Sequence, residues 1–179
     1  AFLGSCRYKL PEIHENSEIY EKIFQFLDKL QIEAFIYIGG NDSMDTIKKL
    51  SDYAIIKGHT QKFLGVPKTI DNDLALTDHT PGFGSAAKYI AASTKEIIRD
   101  ALGLTYNDKE AITILEVMGR NAGWLTGATA LARTEECEGP DLIYLPEVVF
   151  DIDKFLKHAT ELLKKKESVV IAVSEGIKL

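Results

Sequence analysis

Helix-period segments alternate with short, nearly continuous apolar runs along the whole chain, and this alternation constrains the fold more than any other feature. Ile19, Ile23, Phe26, Leu27 and Leu30 recur at helical spacing, and residues 34–38 then form an apolar run closed by Gly39-Gly40. Ile47, Leu50 and Ala54 mark a second helix starting near Ser43, followed by a short strand over 62–66. A long helix runs through Ala87, Ile90, Ala91, Thr94, Ile97, Ile98 and Ala101. A strand at 111–117, a helix over 122–133 and a strand at 141–144 come next. A helix through Phe155, Leu156, Ala159, Leu162 and Leu163 and a strand at 168–173 complete the series. Strands that are apolar throughout are buried on both faces. The pattern therefore predicts an α/β fold, a three-layer, mostly parallel sheet with helices on both faces. Pro81 and Gly82 place the expected lobe boundary in the loop 74–83, dividing the chain into 1–82 and 83–179.

With 179 residues there is enough chain for one domain or two small lobes sharing a core. No apolar run approaches the roughly 20 residues of a membrane span, and residues 1–9 carry no signal-peptide pattern. The reading is a cytoplasmic protein with no membrane partner. A net charge of −6 argues against nucleic acid. Anionic ligands stay open, because a phosphate needs only local donors. Cys6 and Cys137 lie far apart and read as reduced thiols. His14, His59, His79 and His158 share no metal-ligand spacing and read as solvent or loop residues. Trp124 reads as core, and Lys164-Lys165-Lys166 as a solvated helix end that complements the helix dipole.

In parallel sheets ligands bind beyond the carboxyl ends of the strands, and the polar clusters fall there. Gly39-Gly40-Asn41-Asp42-Ser43 follows the first strand. Two glycines allow close backbone approach, and the following helix start suits phosphate. A tight turn capped by Ser43 explains the same residues. Asp42 would repel an anion unless Mg²⁺ or a lysine offsets it, and Lys68 is a candidate partner; two independent surface charges are the alternative. In Thr69-Ile70-Asp71-Asn72-Asp73, one carboxylate can accept a proton while the other attracts Mg²⁺, although Asp and Asn also favour turns for their own reasons. Arg120, between Gly119 and Asn121, can grip phosphate in a bidentate fork. Glu175 can accept hydrogen bonds from sugar hydroxyls. Four polar loops after four strands can converge on one crevice.

Taken in order, these loops resemble the 6-phosphofructokinase family, in its pyrophosphate-dependent form. The matching stretches are Phe2-Leu3-Gly4-Ser5-Cys6-Arg7, the loop from Gly39 to Ser43, Pro67-Lys68-Thr69-Ile70-Asp71-Asn72-Asp73, Thr80-Pro81-Gly82-Phe83-Gly84, residues 116–120, Pro146-Glu147 and Ser174-Glu175-Gly176. The resemblance implies a phosphofructokinase-like fold. It implies phosphoryl transfer from pyrophosphate to the 1-hydroxyl of fructose 6-phosphate, with Mg²⁺ as cofactor. Asp71 matches the general base, and Asp73 the acid that supports the Mg²⁺-bound phosphates. Thr69, Ile70, Met118, Gly119, Arg120 and Glu175 match residues that hold the sugar phosphate or stabilise the transition state. Gly40, Asn41, Asp42 and Ser43 match the donor-phosphate loop, and Arg7 an arginine that reaches the donor. Residues 1–82 would form part of the donor lobe and 83–179 part of the sugar-phosphate lobe.

ATP-dependent relatives have glycine at the places of Asp42 and Lys68. Here Asp42 would intrude on the nucleotide's space while Lys68 supplies a cation near the transferring group. The alternatives are an ATP-dependent phosphofructokinase and a non-catalytic subunit that binds sugar phosphate. Asn41 stands where the family usually has a Mg²⁺-binding aspartate, a weaker ligand for a hard cation. Ala111 stands where many relatives have an arginine donated across a subunit interface. The resemblance implies a homo-oligomer, dimer or tetramer, when full-length. The chain reads as an internal fragment spanning part of both lobes, with little or no activity expected in isolation.

Overall fold

A computed structural model describes residues 8–105 and 109–178. The elements run α1 (Ser17–Lys29), β1 (Ala34–Gly39), α2 (Asn41–Lys57), β2 (Lys62–Pro67), α3 (Phe83–Gly103), β3 (Ala111–Val117), α4 (Trp124–Gly127), a 3-10 segment (Ala128–Ala132), β4 (Leu142–Tyr144), α5 (Ile152–Leu163) and β5 (Ser168–Ser174). Among the described residues every strand pairing is parallel, as the apolar runs predict, but the strands form two sheets. The chain divides between Lys68 and Thr69 into two compact units. That point precedes the 74–83 loop, so the segment carrying Asp71 and Asp73 groups with the second unit.

In the first unit β1 pairs with β2 in a register that sets Gly39 opposite Pro67. The loops leaving both strands therefore start level. Helices α1 and α2 close a core of Tyr20, Phe24, Leu50, Tyr53 and Ala54, with Phe63 packed against it. His59, a loop residue just past α2 as expected, packs into this aromatic group with its ring 4.3 Å from Phe24. Helix α2 ends at Gly58 in the left-handed region (φ 72°), where the His59 N–H returns to the Ala54 carbonyl. Lys49 is buried and donates to the Leu10 carbonyl, Glu12 and Asp45, which ties residues 10–12 to α2. Among the described residues, Ile36, Ile38, Leu64 and Val66 stay exposed, so helices cover this sheet on one face only.

The second unit has the expected three layers. Its strand order is β3-β5-β4, and every residue of the central strand β5 is buried. Val169, Ile171 and Val173 pack with Ala159 of α5, while Val170 packs on the other face with Ile98 and Ala101 of α3. Each fully buried aliphatic side chain of this kind contributes about 1.5–3 kcal/mol. Asp151 caps α5, accepting from the Lys154 N–H at 3.0 Å.

Three local expectations are corrected. The helix expected over 122–133 is one α turn followed by 3-10 geometry, because Gly123 and Gly127 weaken propagation. Trp124 is 59% exposed rather than core; Leu125 and Thr126 take the buried positions of that short turn. Lys166 lies past the end of α5 and reaches Asp141 at 2.5 Å, so it is not a solvated helix end. Asp141 also accepts from the Val170 N–H, which fixes the start of β4 against β5.

Candidate active site

The parallel register places the ends of β3 and β5 side by side, with Val117 opposite Ser174. The loops that follow interlock. The Glu175 N–H donates to the Val117 carbonyl at 2.9 Å, and the Gly119 N–H donates to Glu175 Oε1 at 2.9 Å. Gly119 has φ +124°, and a Cβ there would lie 2.6 Å from the Ala122 carbonyl oxygen. Only glycine fits. Gly176 is equally constrained, since a Cβ on it would lie 2.1 Å from the Arg120 carbonyl oxygen. Glu147, exposed at the end of the β4 loop, accepts from the Gly123 N–H at 2.7 Å and closes the far side of the turn. The turn is thus held by its backbone, while the side chains of Met118 and Arg120 remain exposed.

The segment 69–73 folds as a tight loop. The Asp71 N–H donates to Thr69 Oγ1 at 3.1 Å. Ile70 lies against Gly82, where an added Cβ would come 3.1 Å from its Cγ2. Asn72 is buried at φ +56°, with Asp71 and Asp73 on either side of it, both half-buried. Burial pushes the Asp71 carboxyl above the usual aspartate range. The charge of Asp73 adds to this and that of Glu175 adds less; the Thr69 hydroxyl and the Arg120 guanidinium pull the other way. Asp71 Oδ1 is buried and has no hydrogen-bond partner among the described residues. An acid of this kind is a stronger base than a solvated aspartate and has an oxygen ready for an incoming hydroxyl. The structure therefore gathers Thr69, Asp71, Asp73, Gly119, Arg120 and Glu175 within the second unit.

The first unit gathers the other set. Gly40 is the N-cap of α2, so Asn41 and Asp42 open the helix, and Ser43 sits in its first turn instead of capping it. The Ser43 hydroxyl fills the space where a Gly39 side chain would be, 2.1 Å from the ideal Cβ position. The Lys68 N–H donates to the Gly39 carbonyl at 2.8 Å, which joins the lysine's backbone to this loop. The side chains of Asp42 and Lys68 are both exposed, and among the described residues they form no ion pair with each other. Two solvated charges gain little by pairing, so both stay available to a ligand. Arg7 and the stretch 2–7 lie outside the described residues.

A cavity of about 350 Å³ lies at the opposite edge of the second sheet, beside Ser168 at the start of β5. Its cations are taken by acids: Arg99 by Glu136, and Lys166 by Asp141 and Glu138. Among the described residues it offers no unpaired charge for an anion, and neither Asp71 nor Asp73 lines it. Ser174, Gly176 and Glu147 belong to the loop machinery, yet the sequence gives them no role of their own; Asn72 takes the turn-forming part that its residue type allows. The other three were visible only as part of a motif, because a small polar residue in a turn carries no periodic signal.

Two parallel sheets, each with polar, glycine-bearing loops beyond its strand ends, define the class: an α/β protein that carries its chemistry on loops at the carboxyl ends of its strands. A sequence model described as Phosphofructokinase matches residues 1–179, and the chain belongs to that family. It is 43% identical over 174 residues to the pyrophosphate–fructose 6-phosphate 1-phosphotransferase of Xanthomonas campestris pv. campestris, covering 97% of this chain and 41% of that protein. It is 38% identical over 177 residues to a sulfofructose kinase of Alkalicoccus urumqiensis, covering 99% of this chain and 44% of the relative. The crystal structure of a pyrophosphate-dependent phosphofructokinase from Nitrosospira multiformis superposes with a TM-score of 0.78 at 42% identity, over 98% of this chain and 42% of that one. The chain thus spans about two fifths of the length of these relatives. Among the described residues no helix is long and apolar enough to cross a membrane.

Proposed function

We propose that the polypeptide carrying these residues transfers a phosphoryl group from Mg²⁺-pyrophosphate to the 1-hydroxyl of fructose 6-phosphate. The observation that carries this reading is Asp71: half-buried, with an unpartnered buried oxygen and a raised pKa, beside Asp73 and Arg120. The hydroxyl gives its proton to Asp71 as its oxygen attacks the phosphorus. The P–O bond to the departing phosphate breaks, and fructose 1,6-bisphosphate and phosphate result. Positioning and charge stabilisation dominate such transfers. Arg120 serves the charge of the phosphoryl or sugar phosphate, and Thr69, Ile70, Met118, Gly119 and Glu175 hold the sugar phosphate. The donor end belongs to Gly40, Asn41, Asp42, Ser43 and Lys68, with Arg7. Because the leaving group is phosphate, the step runs readily in both directions.

Mg²⁺ would neutralise the phosphates. Among the described residues no group of three or more His, Cys, Asp or Glu side chains forms a metal cage. Mg²⁺ commonly takes one or two carboxylates and leaves the rest of its shell to substrate phosphates and water, and Asp73 fits that pattern. Asn41 opens α2, where the helix dipole favours anions over cations, so it suits the diphosphate better than the metal. The same reading assigns the first unit, 1–68, to the donor lobe and the second, 69–179, to the sugar-phosphate lobe, a boundary earlier than the expected division between 82 and 83. It also makes the protein a cytoplasmic homo-oligomer.

The test is turnover by the full natural polypeptide with each donor and each acceptor. Formation of fructose 1,6-bisphosphate from pyrophosphate, without ATP, is expected. Turnover with ATP alone would overturn the donor assignment, and turnover of sulfofructose alone would overturn the acceptor. Binding of fructose 6-phosphate without any turnover would favour the non-catalytic subunit.

A further inference from the structure

A buried serine at the end of β5 links the arginine turn to the loop that follows that strand. Ser174 is the last residue of β5 and is 1% exposed. Its Oγ donates to the Gly119 carbonyl at 2.8 Å and accepts from the Gly176 N–H at 3.0 Å. The Gly119 carbonyl belongs to the planar peptide unit that begins Arg120. The hydroxyl therefore fixes the plane from which Arg120 departs. Residue 175 fixes the preceding unit, through the Gly119 N–H on Glu175 Oε1. The second hydrogen bond of Ser174 holds Gly176 in place, and Gly176 is in turn pressed against the Arg120 backbone. An exposed guanidinium thus stands on a backbone held from below.

We propose that Ser174 is a positioning residue: it never meets the ligand, but it aims Arg120 by anchoring the Gly119–Arg120 peptide. This rests on the reading of Arg120 as a sugar-phosphate ligand. A side chain aimed in advance loses less freedom on binding, so removing the anchor weakens binding even though no ligand contact is deleted. A hydroxyl that served stability alone would lower the melting temperature and leave the affinity of folded enzyme unchanged.

The experiment is a double-mutant cycle on the full natural polypeptide, with fructose 6-phosphate as the calorimetric probe and a thermal melt confirming that each variant is folded. Ser174→Ala should weaken fructose 6-phosphate binding by about tenfold, the scale of one lost hydrogen bond. On an Arg120→Ala background it should weaken binding by less than about twofold, because the effect passes through the arginine. Ser174→Thr, which keeps the hydroxyl, should recover most of the loss. An unchanged affinity in folded Ser174→Ala would overturn the proposal, as would an equal loss with and without Arg120. If Arg120→Ala itself leaves binding unchanged, the reading of Arg120 falls, and the proposal with it.

Discussion

Asn72 Oδ1 accepts a hydrogen bond from the Thr80 N–H at 2.9 Å and so closes the loop that follows the acid pair. Its Nδ2 donates to the Asp78 carbonyl at 3.2 Å. The residue is buried in a left-handed conformation, at φ +56°, which asparagine tolerates better than most side chains. One side chain thereby sets the turn that separates Asp71 from Asp73. Asn72→Ala loses two hydrogen bonds and adds backbone strain, and should cost about 2–4 kcal/mol. Asn72→Gly keeps the conformation and should cost visibly less. Urea denaturation of the two variants measures the difference; equal losses would show that the backbone conformation is not what asparagine supplies.

Asp71 should trade stability for chemistry. Its pKa is raised, first by burial and then by the charge of Asp73. Ionised Asp71 therefore opposes folding at neutral pH. The penalty is absent below the unfolded value of about 3.9, builds as pH rises above it, and is complete once pH has passed the raised folded value. Asp71→Asn should raise the melting temperature at pH 7, and the gain should vanish as pH falls into the ordinary aspartate range. The same variant should lose turnover by several orders of magnitude. Thermal melts across pH test the sign: a variant less stable than the parent at pH 7 would contradict the assigned cause.

Two glycines with opposite surroundings offer a matched comparison. A Cβ on Gly176 would collide with the Arg120 carbonyl oxygen, a backbone atom that cannot swing aside. Gly176→Ala should destabilise by about 2–4 kcal/mol and displace the arginine turn. Gly84, in the first turn of α3, has nothing within 4 Å of its Cβ position. Gly84→Ala should stabilise by roughly 0.5–1 kcal/mol by restricting the unfolded chain. Chemical denaturation of both variants reads the contrast directly.

The fold was legible where burial dictates composition. The residues of β5 are apolar along nearly the whole strand because α3 and α5 cover both its faces, so the run 168–173 could be read as an internal parallel strand. The loops beyond the strand ends were legible because Gly119, Arg120, Asp71 and Asp73 are residue types that chemistry or backbone geometry requires. Trp124 was misplaced because its position depends on how far a helix runs after Gly123, and local pattern does not fix that. Lys166 was misread because its partner, Asp141, is distant in sequence. Ser174 escaped for the same reason, since its importance lies in which backbone groups it reaches, whereas the turn-forming bias of Asn72 was legible and only its partners, Thr80 and Asp78, were not.

If the proposed donor reading holds, the preference for pyrophosphate rests on two exposed side chains, and it can be exchanged without disturbing a core. Lys68 is joined through its backbone to Gly39, and Asp42 sits in the first turn of α2, so both project from the same loop system. Neither is bound to the other, so each can be removed without stranding a buried charge. Lys68→Gly alone should lower pyrophosphate turnover by about 10²-fold, the usual effect of deleting one charge-stabilising group. Asp42→Gly alone should cost about 1 kcal/mol of helix stability from glycine in the first turn and the lost dipole contact. Its larger effect should be on the donor, because it removes bulk and negative charge from the space a nucleotide would fill. The pair Asp42→Gly with Lys68→Gly should lose pyrophosphate turnover and gain ATP turnover in the full natural polypeptide. Steady-state assays with each donor decide the matter. Unchanged pyrophosphate kinetics in the double variant would move the basis of donor selection away from these two residues.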